Sequence, residues 1–402
     1  MPTHQPTHHH NPTPSPGVRV TSGPVSQAPT PPVGSGEPAE TSTPPTSGEL
    51  AASETPTPPA QKSAPGEPVG SGEPAETSTP PTSGELAASE TPTPLAEATS
   101  RGPIVALVPS PHGVEALAAV DGVTPLLYDV RAAPPEGAEA AEVMVIPSRP
   151  VDRVLALIDR LPALRLVQTL SAGTDTWTGR LPAHVTLSNA RGAHGPAVAE
   201  WAAATLLAVA RDLPAFAADQ AAARWNPHVA ESLWDRRVLI LGAGDLGTQL
   251  RARLEPFGPR ITMMARRARP GVVPMSDLPE VLPTQDVVAL MVPLTPDTHH
   301  LADKDFLAAM KDGAILLNAA RGPVVDTQAL LAETRTGRLR AILDVTDPEP
   351  LPPDHPLWHA PGVLITPHVA GDVPQSDTRA WQVAADQIAQ YARGEQPANT
   401  VT

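Results

Sequence analysis

The segment VLILGAGDLG, Val238 to Gly247, decides how this chain folds. Four apolar residues run into Gly242, Ala243, Gly244, Asp245, Leu246 and Gly247, and a helical pattern follows from Thr248 to Phe257. That order predicts a buried strand, a glycine turn and a helix start, which together cradle a dinucleotide pyrophosphate. Gly242 permits the tight turn, Gly244 lets the backbone approach the phosphates, and Gly247 lets the helix pack close to the sheet. The first turn of the helix offers unpaired N–H groups to the anion. The GxGxxG pattern alone is weak. The strand before it and the helix after it make it specific.

The next strand bears on the ribose. Ile261 to Met264 is followed by Ala265, Arg266, Arg267, Ala268 and Arg269. An NAD site places an Asp or Glu about 20 residues beyond the glycines to bind the ribose 2′-hydroxyl. Here no carboxylate stands there to repel a 2′-phosphate, and guanidinium groups suited to bidentate phosphate contacts take its place. A solvated basic turn is the alternative. The expected cofactor is NADP ahead of NAD.

Outward from this unit the chain divides. Residues 1–100 hold no Phe, Trp or Tyr, are about one-fifth Pro, and repeat the block PVGSGEPAETSTPPTSGELAASETPTP at Pro32–Pro58 and Pro68–Pro94. Such a stretch buries too little apolar surface to offset its ordering entropy. A solenoid repeat would carry stacking apolar positions. A duplicated, disordered tail is expected. Its ten Glu against Arg19 and Lys62 give it a net −8 of the chain's −15. Neither part shows the basic face of a nucleic-acid binder. The longest apolar stretch, Ala197 to Ala210, is interrupted by Glu200, so no membrane partner is expected. There is no Cys, which excludes disulfides, thiolate catalysis and Cys-zinc sites. A cytoplasmic protein is the default.

From Arg101 onward, strands are expected at Ile104–Val108, Leu126–Tyr128, Val143–Ile146 and Leu166–Leu170. Helices are expected at Val114–Val120 and Val151–Leu161. An Ala- and Leu-rich helix from Pro196 to Arg211 leads to the glycine turn. Beyond Ile261–Met264 come strands at Val287–Val292, Ala314–Asn318, Ala341–Val345 and Val363–Thr366, then a helix from Gln375 to Arg393. The alternation implies α/β architecture with two doubly wound parallel sheets. Residues 101–195 would form a substrate domain, 196–370 a dinucleotide-binding domain, and 371–402 a helix returning to the first.

Polar residues at the late strand ends occupy the edge where a doubly wound sheet places its site. Arg321 follows one strand in NAARG, Asp344 ends the next with Glu349 beyond it in VTDPEPL, and His368 follows the last in ITPHVAG. Each alone reads equally as a surface or loop residue; it is their succession beside a nicotinamide site that carries weight. Hydride transfer to a ketone leaves negative charge on its oxygen, so a proton donor must be in reach, and His donates near neutral pH. Arg orients a carboxylate.

On these residues the chain from Leu166 onward resembles the D-2-hydroxyacid dehydrogenase family of NAD(P)-dependent 2-oxoacid reductases. The matching segments are SAGTD (Ser171–Asp175), NARGAHGPAVAEW (Asn189–Trp201), VLILGAGDLG, VPLTPDTHHL (Val292–Leu301), LLNAARGPVVD (Leu316–Asp326), LDVTDPEPL (Leu343–Leu351) and ITPHVAG (Ile365–Gly371). The resemblance implies that Arg321 orients the substrate, His368 is the acid/base and Glu349 tunes it. Backbone N–H groups near Ala172 and Gly173 would hold the substrate carboxylate. Asp245 and Leu246 would meet the pyrophosphate, Ala265 to Arg267 the ribose, and Val292 and Pro293 the adenine side. Thr298, Ala319, Arg321 and Gly371 would line the cofactor, and Asp344 would accept from the nicotinamide amide. It also implies a homodimer formed partly through the helix that carries Glu200. Two departures stand out: the acidic ribose residue is missing, and Trp234 to Arg237 replace the usual glycine–lysine pair before the glycine turn.

The expected function is therefore hydride transfer between NAD(P)H and a small 2-oxoacid. A dinucleotide-sensing, corepressor-like binding protein on the same fold is the alternative. Substrate choice would depend on the directions of residues such as Trp177, His112 and Trp381.

Overall fold

The computed structural model describes residues 102–401, so the duplicated tail expected to be disordered lies outside the described residues. A first sheet takes β1 (Ile104–Val108), β2 (Val123–Leu127), β3 (Ala141–Ile146), β4 (Leu166–Thr169) and β5 (Thr186–Ser188), with α1 (Pro111–Ala118) after β1 and α2 (Val151–Ile158) after β3. Two helices, α3 (Gly195–Ala210) and α4 (Leu213–Ala221), lead to a second sheet of β6 (Arg237–Leu241), β7 (Arg260–Ala265), β8 (Val273–Pro274), β9 (Val287–Leu290), β10 (Ile315–Asn318), β11 (Arg340–Leu343) and β12 (Val363–Ile365). Between these strands run α5 (Asp245–Leu254), α6 (Leu278–Val281), α7 (Lys304–Ala309) and α8 (Thr327–Arg335), and α9 (Pro374–Ala392) follows β12.

All strand pairs in both sheets are parallel, in the orders β2-β1-β3-β4-β5 and β12-β11-β10-β9-β6-β7-β8. The period of two explains why parallel strands here read as unbroken apolar runs. In β6, Leu239 and Leu241 join Val288, Leu290 and Leu316 on one face. Val238 and Ile240 join Val287, Ala289 and Leu317 on the other. The first sheet repeats this, with Leu107, Met144 and Val167 on one face and Ala106, Val108 and Val145 on the other. Trp381, Ala384 and Ile388 of α9 pack into that second cluster, so the last helix lies on the first sheet.

Local chemistry shifts several boundaries from those expected. α1 begins at Pro111 rather than Val114, because Ser110 caps it by accepting from Gly113 N at 3.2 Å and proline suits the first position. α5 begins at Asp245, three residues before the expected Thr248, and gives way to a single turn of 3-10 helix at Glu255–Phe257, where Pro256 lacks the N–H that would continue it. The sequence reading did not anticipate α4, α6, α7, α8, β5 or β8. Among the described residues no single helix is long and apolar enough to cross a membrane.

Candidate active site

Because every strand of the second sheet runs the same way, the carboxyl ends of β6, β7, β9, β10, β11 and β12 share one edge. The order reverses at β6, which lies between β9 and β7, and a ligand crevice belongs at such a reversal. Gly242 has φ 109°, and a side chain on it would run into the Met291 carbonyl. Only glycine lets the turn close against the end of β9. A side chain at Gly244 would meet nothing within 4 Å, so the backbone there is open to a ligand. The N–H groups of Asp245, Leu246 and Gly247 donate to no protein acceptor among the described residues. The Asp245 carboxylate turns away and packs against Gly195 at the start of α3. Negative charge is favourable at that helix N-terminus, so the turn keeps its amides for an anion.

Beside the turn, Arg266 and Arg267 are exposed, with no hydrogen bond or ion pair among the described residues. Arg269, grouped with them in the sequence, instead reaches back and donates to the Ala243 carbonyl within the turn. On the β9 side, the Thr298 hydroxyl donates to the Pro293 carbonyl at 2.6 Å and accepts from Thr295 N at 2.8 Å, which closes the loop that begins at Val292.

Arg321 and the SAGTD loop meet. Asn318 is buried at the end of β10; it accepts from Ala320 N and donates to the Arg321 carbonyl, both at 3.0 Å, which sets the turn that presents Arg321. The Arg321 Nε donates to Asp175 Oδ1 at 3.1 Å, and its Nη2 lies where a Gly173 side chain would be. Any residue but glycine at 173 would displace the guanidinium. The carbonyls of the loop are occupied: Thr169 Oγ1 donates to Ser171, Asn189 Nδ2 to Ala172 and Ser171 Oγ to Gly173. The N–H groups of Ala172 and Gly173 meet no protein acceptor among the described residues. Free amides and a held guanidinium together suit a carboxylate.

His368 and Glu349 also meet. The His368 Nδ1 lies 2.7 Å from Glu349 Oε1. That contact leaves Nε2 as the ring nitrogen for a substrate, with the carboxylate fixing the tautomer. The loop bearing Glu349 is tied by Thr346 Oγ1 to the Pro348 carbonyl and by Thr327 Oγ1 of α8 to the Asp347 carbonyl. His368 itself has φ 56°, a left-handed backbone unusual outside glycine. Its N–H donates to the Asp344 carbonyl at 2.7 Å. The Asp344 carboxylate, 4% exposed, accepts from Thr366 Oγ1, Val369 N and Ala370 N, so the whole ITPHVAG turn is wound around it. A carboxylate has about four acceptor directions, so room for one further donor remains.

Several residues to which the motifs assign no role support the site. Asp175, Asn318, Asn189 and Thr366 hold the groups above. His194 stands at the cap position of α3 against Gly371, and its Nδ1 is buried with no partner among the described residues. Burial pushes its pKa below the usual imidazole range, and Asp372 opposes that. Trp177 and Trp381, expected to bear on pocket size, are 3% and 2% exposed inside the apolar cores of the first sheet. His112 pairs with Asp377 at 2.9 Å.

A family model described as D-isomer specific 2-hydroxyacid dehydrogenase, NAD binding domain, matches residues 203–370. The glyoxylate reductase of Thermofilum pendens is 33% identical over 264 residues, covering 60% of this chain and 76% of that relative. Glyoxylate/hydroxypyruvate reductase B of Klebsiella pneumoniae is 33% identical over 281 residues, covering 65% of this chain and 84% of its own. Among solved structures, a D-isomer specific 2-hydroxyacid dehydrogenase from Xanthobacter autotrophicus Py2, in complex with NADPH and MES, matches with a TM-score of 0.66 and 30% identity, over 75% of this chain and 98% of that one.

Proposed function

The chain belongs to the D-isomer specific 2-hydroxyacid dehydrogenase family, and from that premise we propose a reductase of small 2-oxoacids, glyoxylate and hydroxypyruvate foremost, with NADPH as its preferred partner. Its general activity is that of an NAD(P)-dependent oxidoreductase acting between a 2-oxoacid and the 2-hydroxyacid. The named relatives are enzymes, which favours catalysis over a dinucleotide-sensing role. The observation that carries the reading is the pairing of Arg321 with the SAGTD loop and of His368 with Glu349, on the edge that bears the glycine turn.

The residues fit the cofactor. The open backbone at Gly244 and the unpaired amides of Asp245, Leu246 and Gly247 suit a pyrophosphate. Arg266 and Arg267, unpaired and with no carboxylate beside them, suit a 2′-phosphate. Val292, Pro293, Thr298, Ala319 and Gly371 would line the cofactor, as the resemblance implies, and the spare acceptor direction of Asp344 suits a carboxamide. When bound, the cofactor supplies the hydride. The Ala172 and Gly173 amides and Arg321 hold the substrate carboxylate, and Arg321 fixes the direction of its carbonyl. His368 donates the proton from Nε2 to the carbonyl oxygen while Glu349 holds Nδ1.

The dimer expected through the helix that carries Glu200 would also cover Trp225 and Val229, 96% and 98% exposed beyond α4, and Leu213, exposed at its start. A partner covering these side chains would bury apolar surface that is otherwise in water. Sedimentation of a Trp225→Ser, Val229→Ser variant as a monomer, against a dimeric parent, is the expected result. Initial rates with NADPH and NADH over glyoxylate, hydroxypyruvate, pyruvate and bulkier 2-oxoacids test the reaction. No turnover with any of them would reject it, and equal rates with both cofactors would reject the NADPH preference.

A further inference from the structure

The first sheet has a reversal of its own. Its order places β1 between β2 and β3, and parallel sheets hold ligands at the carboxyl edge of such a point. A cavity of about 550 Å³ lies there. Pro109 beyond β1, Leu127 and Tyr128 at β2 and Pro147 beyond β3 make an apolar wall, and Arg131 and Arg149 complete it. The Tyr128 hydroxyl is turned inward, donating to the Val145 carbonyl at 2.9 Å. Asp129 also lines the cavity, and its Oδ1 accepts from the Arg131 backbone N–H at 2.8 Å. Neither guanidinium has a hydrogen bond or ion pair among the described residues, although carboxylates are plentiful in this acidic chain.

The position of this cavity relates it to the proposed reaction. The SAGTD loop follows β4, the immediate neighbour of β3. Adjacent strands lie roughly 4.8 Å apart, and the cavity and the SAGTD loop share the carboxyl edge of one sheet. A substrate held there by its carboxylate would extend its far end along the sheet edge. An apolar wall with two exposed arginines in its lining suits a short carbon chain that ends in an anion.

We infer that this cavity is a subsite for the distal carboxylate of a dicarboxylic 2-oxoacid, with Arg131 and Arg149 as its specificity-determining residues. The inference rests on the 2-oxoacid reductase reading. Two measurements keep their failures apart. The first compares kcat/KM of the full chain for 2-oxoglutarate with that for 2-oxopentanoate, which has a methyl in place of the distal carboxylate. The expected preference for the dicarboxylate is about tenfold or more, the size of one charge-assisted contact. In an Arg131→Gln, Arg149→Gln variant the ratio should fall to near one, through KM. A parent without the preference, or a variant that keeps it, overturns the subsite.

The second measurement needs no turnover. Glutarate should raise the melting temperature of the parent and leave that of the double variant unmoved, and it should compete with the 2-oxoacid in the rate assay. Protection of the parent in the absence of any reductase activity would support the anion cavity and reject the reaction. Protection without competition would make it a separate anion site and overturn the tail assignment. No protection of a parent that reduces glyoxylate overturns the cavity alone.

Discussion

β1 and β6 stand at the same topological place, the strand at which their sheet reverses its order, and each feeds a helix. Their turns differ. After β1, the Ser110 hydroxyl takes the Gly113 N–H and Pro111 brings no N–H at all, so the start of α1 is largely satisfied from within. After β6, α5 has no side-chain cap, its first amides meet no protein acceptor among the described residues, and the backbone at Gly244 is open. A cap stabilises a helix and uses up its anion site. An uncapped glycine turn forgoes that stability and keeps the site. Two sheets of one architecture thus take different tasks from a few residues at one strand end.

The largest expected effect lies on the second sheet's edge. His368→Ala should lower turnover by about 10²–10⁴-fold, the usual share of a positioned acid. NADPH binding, followed by fluorescence titration, should persist. Retention of near-parental turnover would remove His368 from the proton transfer.

The turns themselves come next. Gly242→Ala forces a side chain onto a φ of 109° and into the Met291 carbonyl. It should cost about 1–3 kcal/mol of stability and weaken NADPH binding at least as strongly. Ser110→Ala in the other turn should cost about 0.5–2 kcal/mol and leave the NADPH dissociation constant unmoved. Paired urea melts and titrations separate the two. If Gly242→Ala changes stability without changing NADPH affinity, the two turns do not differ in task.

These sites were unequally legible in the sequence. The parallel strands stood out because burial on both faces leaves long apolar runs, and β1 was bounded to the residue. Glycines at a fixed spacing and an Arg, a Glu and a His at successive strand ends marked the edge. What stayed hidden lay in contacts between distant residues. Nothing local says that Asp175 meets Arg321, or that the Asp344 carboxylate collects three donors from the His368 turn. Trp177 and Trp381 look like pocket residues in a linear chain and become core only when the helices close over the first sheet. The missed helices α7 and α8 did carry a signal, an Asp at the cap position, at Asp303 and Asp326.

A third test sharpens what the open turn is open to. Arg266→Ala and Arg267→Ala together should raise the Michaelis constant for NADPH on the order of tenfold per lost contact, and change that for NADH little. Equal changes for both cofactors would return the basic turn to plain solvation.

The smallest expected effect moves the comparison from the carboxyl edge to the amino edge of the second sheet. There Asp286, just before β9, accepts from Arg237 N at 2.9 Å and from Lys311 Nζ at 2.6 Å, with Arg236 Nη1 at 3.5 Å. Burial pushes this carboxyl pKa up, but Lys311, the Arg237 amide and Arg236 outweigh it and hold the pKa below the usual range. A depressed folded-state pKa means that the carboxylate stabilises the fold above its unfolded-state pKa. That contribution is lost as pH falls through the folded-state value. Asp286→Asn should therefore lower stability by about 1 kcal/mol at neutral pH, since two of the partners are partly solvated. The gap to the parent should shrink as the solution is acidified, while KM for NADPH and for the 2-oxoacid stays put. A gap that is constant with pH would mean that the amide geometry, not the charge, is what Asp286 contributes. A shift in either KM would mean that the two edges of the sheet are not as separable as their chemistry indicates.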